Sequence, residues 1–305
     1  MKPVGIHSVS DPSQISIPLN SGAIASAKQT SFDSITILHA LNAKAAIFIC
    51  LTLLSISGYI SKRDLPRNAL WEVVNNLCVR GQSLLQFPKP CLQVDLHAGI
   101  ENGFAVLSDP RGGVQFLLVP TSQISGVESP IIRGPGALNY FGMAWDQRSY
   151  VEAALHASLR RDDIGLAINS AVSRSQDQLH IHISCVRQDV SEVLHENDGK
   201  ISGHWTLFNF SSIEHHYLAM WISGENLSPH NPFNIVEASF SGAAAEMADR
   251  TIVVIGFTKA DKTKGFVILT EQVDKLSGDL ANGEDLLDPS CNIVAIEDWA
   301  HRNMK

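Results

Sequence analysis

The chain has 305 residues, with 23 Lys+Arg against 31 Asp+Glu, a formal charge of −8 at pH 7 and 45 % hydrophobic residues. A net-acidic chain lacks the phosphate-neutralising charge that dominates nucleic-acid affinity, so that class of partner is excluded. With 18 % of residues charged, the composition also excludes global disorder and leaves either a large core or a membrane segment as the source of the apolar content.

Residues 1–34, rich in Ser, Pro and Gln and without apolar periodicity, read as a disordered tail. From Ala45 to Ile60 there is no charge, and Lys44 before and Lys62-Arg63 after close the run. It is short of the ~20 residues a bilayer requires. A lysine can snorkel, however, and Ile35 to Leu41 extend the run upstream. Residues 35–61 are therefore read as a transmembrane signal anchor, uncleaved because a long polar stretch precedes it; a buried core helix is the alternative. Lys and Arg flank the span on both sides, so charge leaves its orientation open. Residues 62–305 suffice for one large domain or a domain with additions, and the acidity belongs to them.

Within that body, Pro66 to Leu85 carries a helical face of Leu70, Val73, Val74, Leu77 and Val79. Strands follow at Phe104 to Leu107 and Gln115 to Pro120, joined by the turn cluster Asp109-Pro-Arg-Gly-Gly113. One long helix is expected between Leu138 and Arg161. Gly165 to Asn169 and Gln178 to Val186 read as strands, Asp189 to Glu196 as a short helix, and Glu214 to Ser223 and Pro232 to Ala248 as helices. Thr251 to Thr258 and Gly265 to Thr270 form a hairpin. Strands and helices mix without βα repetition, which favours an α+β domain on an antiparallel sheet.

Four cysteines lie outside the anchor: Cys78, Cys91, Cys185 and Cys291. An even count with one close pair fits a disulfide framework in an oxidising compartment. Three pairings are open, and Cys78 with Cys91 and Cys185 with Cys291 is favoured; four buried thiols in a cytosolic enzyme is the alternative. No CxxC occurs, which argues against structural zinc.

Two histidines, His180 and His182, alternate on a strand. Gln178, His180, His182 and Ser184 share one face, and Leu179, Ile181, Ile183 and Cys185 the other. A polar stripe on a strand with an apolar back is either a solvated face or chemistry. Metal ligation would need further partners that nearby residues do not supply. The preceding loop, Asn169 to Gln176, offers amides, hydroxyls and Arg174 in front of the histidines, a setting for a phosphate.

This stretch resembles the histidine triad superfamily, whose nucleotide hydrolases and transferases show an Asn, a Gln and then alternating histidines on a strand; Asn169, Gln176, His180 and His182 match. More of the chain, from about Cys78 to Cys291, resembles the bacterial CDP-diacylglycerol pyrophosphatase family. The residues are FLLVP, Gly126-Val-Glu-Ser-Pro130, Ala144-Trp145, LAINS, HIHISC, His215 with Tyr217-Leu-Ala219, and Cys291. Gln178 and Ser184 depart from the alternating histidines, and Gln123 stands where the superfamily commonly has His.

The resemblance implies a HIT-like antiparallel sheet with flanking helices, and hydrolysis of CDP-diacylglycerol to CMP and phosphatidate through a nucleotidyl-histidine, without cofactor or metal. His182 and His180 would be catalytic. Counting from Asn169 and Gln176 makes His182 the nucleophile and is favoured; counting a three-histidine run makes it His180. Asn169, Ser173, Arg174, Gln176, Ser184 and His215 would bind substrate and phosphate. The implied location is the bacterial inner membrane, single-pass, with the catalytic domain periplasmic. A triad hydrolase or transferase for soluble nucleotides, and a non-catalytic extracytoplasmic module binding metal or nucleotide, are the rival readings.

Overall fold

Two consecutive runs rich in β-branched and apolar residues, Arg250–Thr258 (RTIVVIGFT, β8) and Lys264–Gln272 (KGFVILTEQ, β9), pair antiparallel across a short polar turn. A continuous apolar run, rather than strict alternation, suits a strand covered on both faces. These strands are buried along nearly their whole length. They lie in a computed structural model that describes residues 65–240 and 246–294.

The remaining strands are β1 (Gln93–Asp95), β2 (Phe104–Ser108), β3 (Gln115–Pro120), β4 (Ile164–Ile168), β5 (Ile181–Val186), β6 (Thr206–Asn209), β7 (His216–Ser223) and β10 (Leu287–Asp288). They form one antiparallel sheet in the order β1-β2-β3-β5-β4-β8-β9-β7-β6, with β10 pairing the end of β5. The expected α+β class and antiparallel sheet are present. The tail at 1–34 and the anchor at 35–61 lie outside the described residues, among which no helix is long and apolar enough to cross a membrane.

One face of the sheet packs Val106, Leu118, Ile183, Leu166, Val254 and Ile268 against the helices Tyr140–Asp146, Ser149–Leu155 and Pro232–Ser239, through Phe141, Trp145, Val151 and Phe233. Each fully buried side chain of this size contributes roughly 1.5–3 kcal/mol. Gly256 permits the close approach here: a Cβ would stand 2.5 Å from the Trp145 ring and 2.3 Å from Arg161 O. The opposite face is covered in two places. A helical segment over 69–85, α-helical at both ends and π-helical at Val73–Val79, packs on β1 to β3. The helix Gln188–Glu196 and neighbouring loops cover β4, β8, β9 and β7.

Both favoured disulfides form, Cys78–Cys91 with Cα atoms 5.6 Å apart and Cys185–Cys291 with 5.2 Å. The first closes the loop behind the 69–85 helix; the second ties β5 to the segment after β10.

Three expectations are corrected. Glu214 to Ser223 is not a helix but contains β7, because it pairs with β6 and β9 and alternately buries Tyr217 and Ala219; tertiary pairing overrides local preference. The single helix between Leu138 and Arg161 is two short ones. The first ends at Gln147 and the second at His156, whose left-handed φ of 53° terminates it. Strand β5 begins at Ile181, not Gln178: the Gln178 side chain turns away to donate to Pro120 O and Ser122 O and to accept from Ile124 N, clamping the loop after β3.

Candidate active site

Strand β5 sits between β3 and β4, so His182 has Leu117 and Ala167 as its cross-strand partners. Leu117 belongs to the packing under the 69–85 helix and Ala167 to the packing under Gln188–Glu196. The histidine face therefore falls in the gap between the two coverings. Ser184, two residues on, is flanked by Gln115 and Gly165 and donates its hydroxyl to Val114 O at 2.8 Å.

The rings of His180 and His182 meet edge to face with centroids 5.0 Å apart. His180 Nδ1 lies 2.6 Å from Gln178 O. A carbonyl only accepts, so Nδ1 carries the proton and the neutral ring presents an unprotonated Nε2. His182 differs. Its Nδ1 faces Gln115 Nε2 at 2.9 Å and its Nε2 lies 3.1 Å from Glu284 Oε1, off the angle for a hydrogen bond.

Glu284 stands in the turn Gly283–Leu286 that leads into β10. Its Oε1 accepts from Asn169 Nδ2 at 2.7 Å, and its Oε2 accepts from Gln115 Nε2 at 3.0 Å and from the Arg111 guanidinium. Asp109 completes the cluster, accepting from Gln115 Nε2 at 2.9 Å and from Arg111 Nη2 at 2.6 Å. Asp109 and Arg111 come from the turn joining β2 and β3, which Gly112 and Gly113 close in left-handed conformations. A Cβ on Gly113 would meet Pro289 at 2.7 Å, so this turn and the segment after β10 are seated against each other.

Burial pushes His182 down to about 4, past the opposing pull of Glu284, with His180 and Arg111 adding to the fall. Burial likewise lowers His180, against the upward pull of Gln178 O. Burial would raise Glu284, but His182 and Arg111 outweigh it and hold the carboxyl at about 2. At neutral pH the cluster thus holds two neutral imidazoles and two carboxylates neutralised in part by Arg111. Asp109, His182 and Glu284 present ligand atoms close enough together to hold a metal ion. The Arg111 guanidinium bridges the same two carboxylates, so positive charge is already supplied at that place. Gln115 Oε1, Asn169 Oδ1 and His182 Nε2 are buried without a hydrogen bond. Orphaned polar atoms at that density mark a place that meets a polar ligand.

Of the expected residues, the structure brings together His180, His182 and Asn169, with Ser184 beside them. Arg174 lies elsewhere: its guanidinium holds Glu128 through both terminal nitrogens and also Asp177. Gln176 accepts from Leu70 N, fastening the start of the 69–85 helix, and the Ser173 amide donates to Ser170 Oγ. His215 pairs with Asp279 at 3.3 Å, not with the two histidines. These four stand apart from the two histidines; Arg174 and Gln176 hold the loop after Asn169 toward Glu128 and the start of the 69–85 helix. Asp109, Arg111, Gln115 and Glu284 were not anticipated. A polar Gln opening the apolar strand QFLLVP and an Asp-x-Arg turn before it are signals that could have found three of them; Glu284 has none.

The model of the family described as CDP-diacylglycerol pyrophosphatase matches residues 65–295. A CDP-diacylglycerol pyrophosphatase of Yersinia pestis is 32 % identical over 227 residues, covering 74 % of this chain and 85 % of the relative. Both matches are to a hydrolase of a phosphoric anhydride. The chain belongs to the CDP-diacylglycerol pyrophosphatase family.

Proposed function

We propose that this chain hydrolyses the pyrophosphate of CDP-diacylglycerol to CMP and phosphatidate, with His180 rather than His182 as the nucleophile. The observation that carries the assignment is the His180 Nδ1 to Gln178 O hydrogen bond, which leaves Nε2 as the basic nitrogen. His180 Nε2 attacks the cytidine-side phosphorus, the bond to the bridging oxygen breaks, and phosphatidate leaves with the electron pair. The positive charge that develops on the ring is met by Gln178 O. The Glu284 carboxylate faces His182 Nε2 at 3.1 Å and favours the proton there, so the neutral ring offers an N–H that hydrogen-bonds the leaving phosphate, which departs as the anion. Water then attacks the nucleotidyl-histidine, the P–N bond breaks with its pair returning to Nε2, and the water's proton passes to solvent as CMP leaves. Arg111, exposed at the rim of the cluster, meets the charge on the phosphate oxygens, the part expected of Arg174.

Residues 35–61 hold the domain at the bacterial inner membrane as a single-pass anchor, and the domain faces the periplasm. The uncharged run at 45–60 and the two disulfides support this reading, since such bonds persist in oxidising compartments. Tethering raises the effective concentration at a lipid substrate that an acidic body would not find by electrostatic adsorption.

The test is an acid quench during turnover of CDP-diacylglycerol labelled in the cytidine, followed by peptide mapping. Label on His180, and none in His180→Ala, is expected. Label on His182, or undiminished CMP release by His180→Ala, overturns the assignment.

A further inference from the structure

On the same face as the histidine cluster, a second group of ligating side chains comes from three separate segments. Leu218 of β7 pairs with Thr270 of β9, which sets Tyr217 beside Glu271 one residue further along. His215 precedes β7, and Asp279 opens the loop that leads to Glu284. One ligand atom from each of His215, Glu271 and Asp279 lies within 4.8 Å of the others. His215 Nδ1 and Asp279 Oδ2 are 3.3 Å apart. Two ligands bound at ~2.1 Å to a tetrahedral ion stand about 3.4 Å from each other, so this pair already has the spacing of one coordination edge.

The second observation is Glu271 itself. It is 4 % exposed, and neither carboxylate oxygen has a hydrogen bond of good geometry, although Asp279 and the Tyr217 hydroxyl face it. That hydroxyl instead donates to Asn282 O at 3.3 Å. A buried carboxyl facing a second one must either hold a proton or meet a cation. His215, with a side chain 27 % exposed, leaves a way in from solvent.

We propose that His215, Glu271 and Asp279 form a binding site for a first-row divalent cation, with Zn2+ the best match to one imidazole and two carboxylates. Magnesium and calcium favour all-oxygen shells, and the imidazole selects against them. The site is joined to the cluster by chain: Asp279 begins the loop whose later residue Glu284 faces His182, and Ser170 holds that loop by donating to Leu280 O and Ala281 O. An ion on Asp279 would brace the loop that presents Glu284.

The experiment uses full-length protein stripped with a chelator and titrated with Zn2+ alone by calorimetry, without substrate, so the outcome is independent of which histidine is the nucleophile. One equivalent is expected, weakened at least 100-fold by both His215→Ala and Glu271→Gln and retained in Glu284→Gln. The Glu271→Gln side chain is close in shape to the protonated acid, which favours a folded variant. X-ray absorption of the wild type at one equivalent should give a single imidazole with oxygens at about 2.0–2.2 Å. Absence of saturable binding, binding that survives Glu271→Gln, loss in Glu284→Gln, or a shell with two imidazoles or none overturns the site.

Discussion

Glu284 Oε1 stands 3.1 Å from His182 Nε2 although the two residues are 102 positions apart in the chain. The same carboxylate accepts from Asn169, Gln115 and Arg111, so it is the point through which β3, β4, β5 and the β2–β3 turn are joined. Replacing it with Gln removes the charge while the Arg111–Asp109 pair stays in place. A fall in kcat of about tenfold, or about 1.4 kcal/mol of activation free energy, is expected. Since Glu284 pulls the His182 pKa up, the acid limb of the kcat profile should also move to lower pH in Glu284→Gln. A profile that does not move would show that Glu284 is merely structural.

Stability should depend on pH through the two imidazoles. An unfolded histidine takes its proton near ~6.5, whereas the folded His182 does so at about 4. Between these values the unfolded chain binds more protons, so stability rises with pH. The contribution is complete above ~6.5 and is lost as pH falls toward that of the folded group. Thermal midpoints measured from pH 7 down to pH 4 should fall through that window, and His182→Gln should flatten the slope.

The two disulfides should differ in worth. Cys185–Cys291 spans 106 residues and Cys78–Cys91 spans 13. Loop-closure entropy puts their contributions at about 5 and about 3 kcal/mol. Urea unfolding of the paired Cys→Ala variants should therefore show the larger loss for the long-range bond, with an added cost because both of its cysteines lie in the main core. Equal losses would contradict the chain-entropy account.

Gly113→Ala tests whether the β2–β3 turn positions the cluster. Its φ of 79° disfavours a side chain, and the new methyl would press on Pro289. Activity should fall more than stability, because the displaced turn carries Asp109 and Arg111. The comparison is of kcat against the thermal midpoint. A large fall in midpoint with unchanged kcat would remove the turn from the site.

Local pattern carried much of the architecture. The turn cluster at 109–113, the apolar strand Gln115–Pro120 and the late hairpin are legible because their pairing is short-range and their residues have one conformational preference each. The segment at 214–223 was misread for the opposite reason: its strand character comes from β9, whose register buries Tyr217 and Ala219, and nothing local encodes that. The same division runs through the site. His180 and His182 announce themselves by alternation on one strand, whereas Asp109 and Glu284 reach them from distant loops.

By itself the sequence determined the α+β class, a favoured one of three cysteine pairings and the pair of histidines, all of which rest on spacing along the chain. Only the tertiary structure decided that Arg174 is spent on Glu128, that Arg111 stands at the histidines instead, and which imidazole nitrogen is free. The reason is physical. A side chain's charge partner and tautomer are set by the atoms within a few ångströms of it, and in a sheet whose central strands pair with distant segments those atoms come from everywhere in the chain.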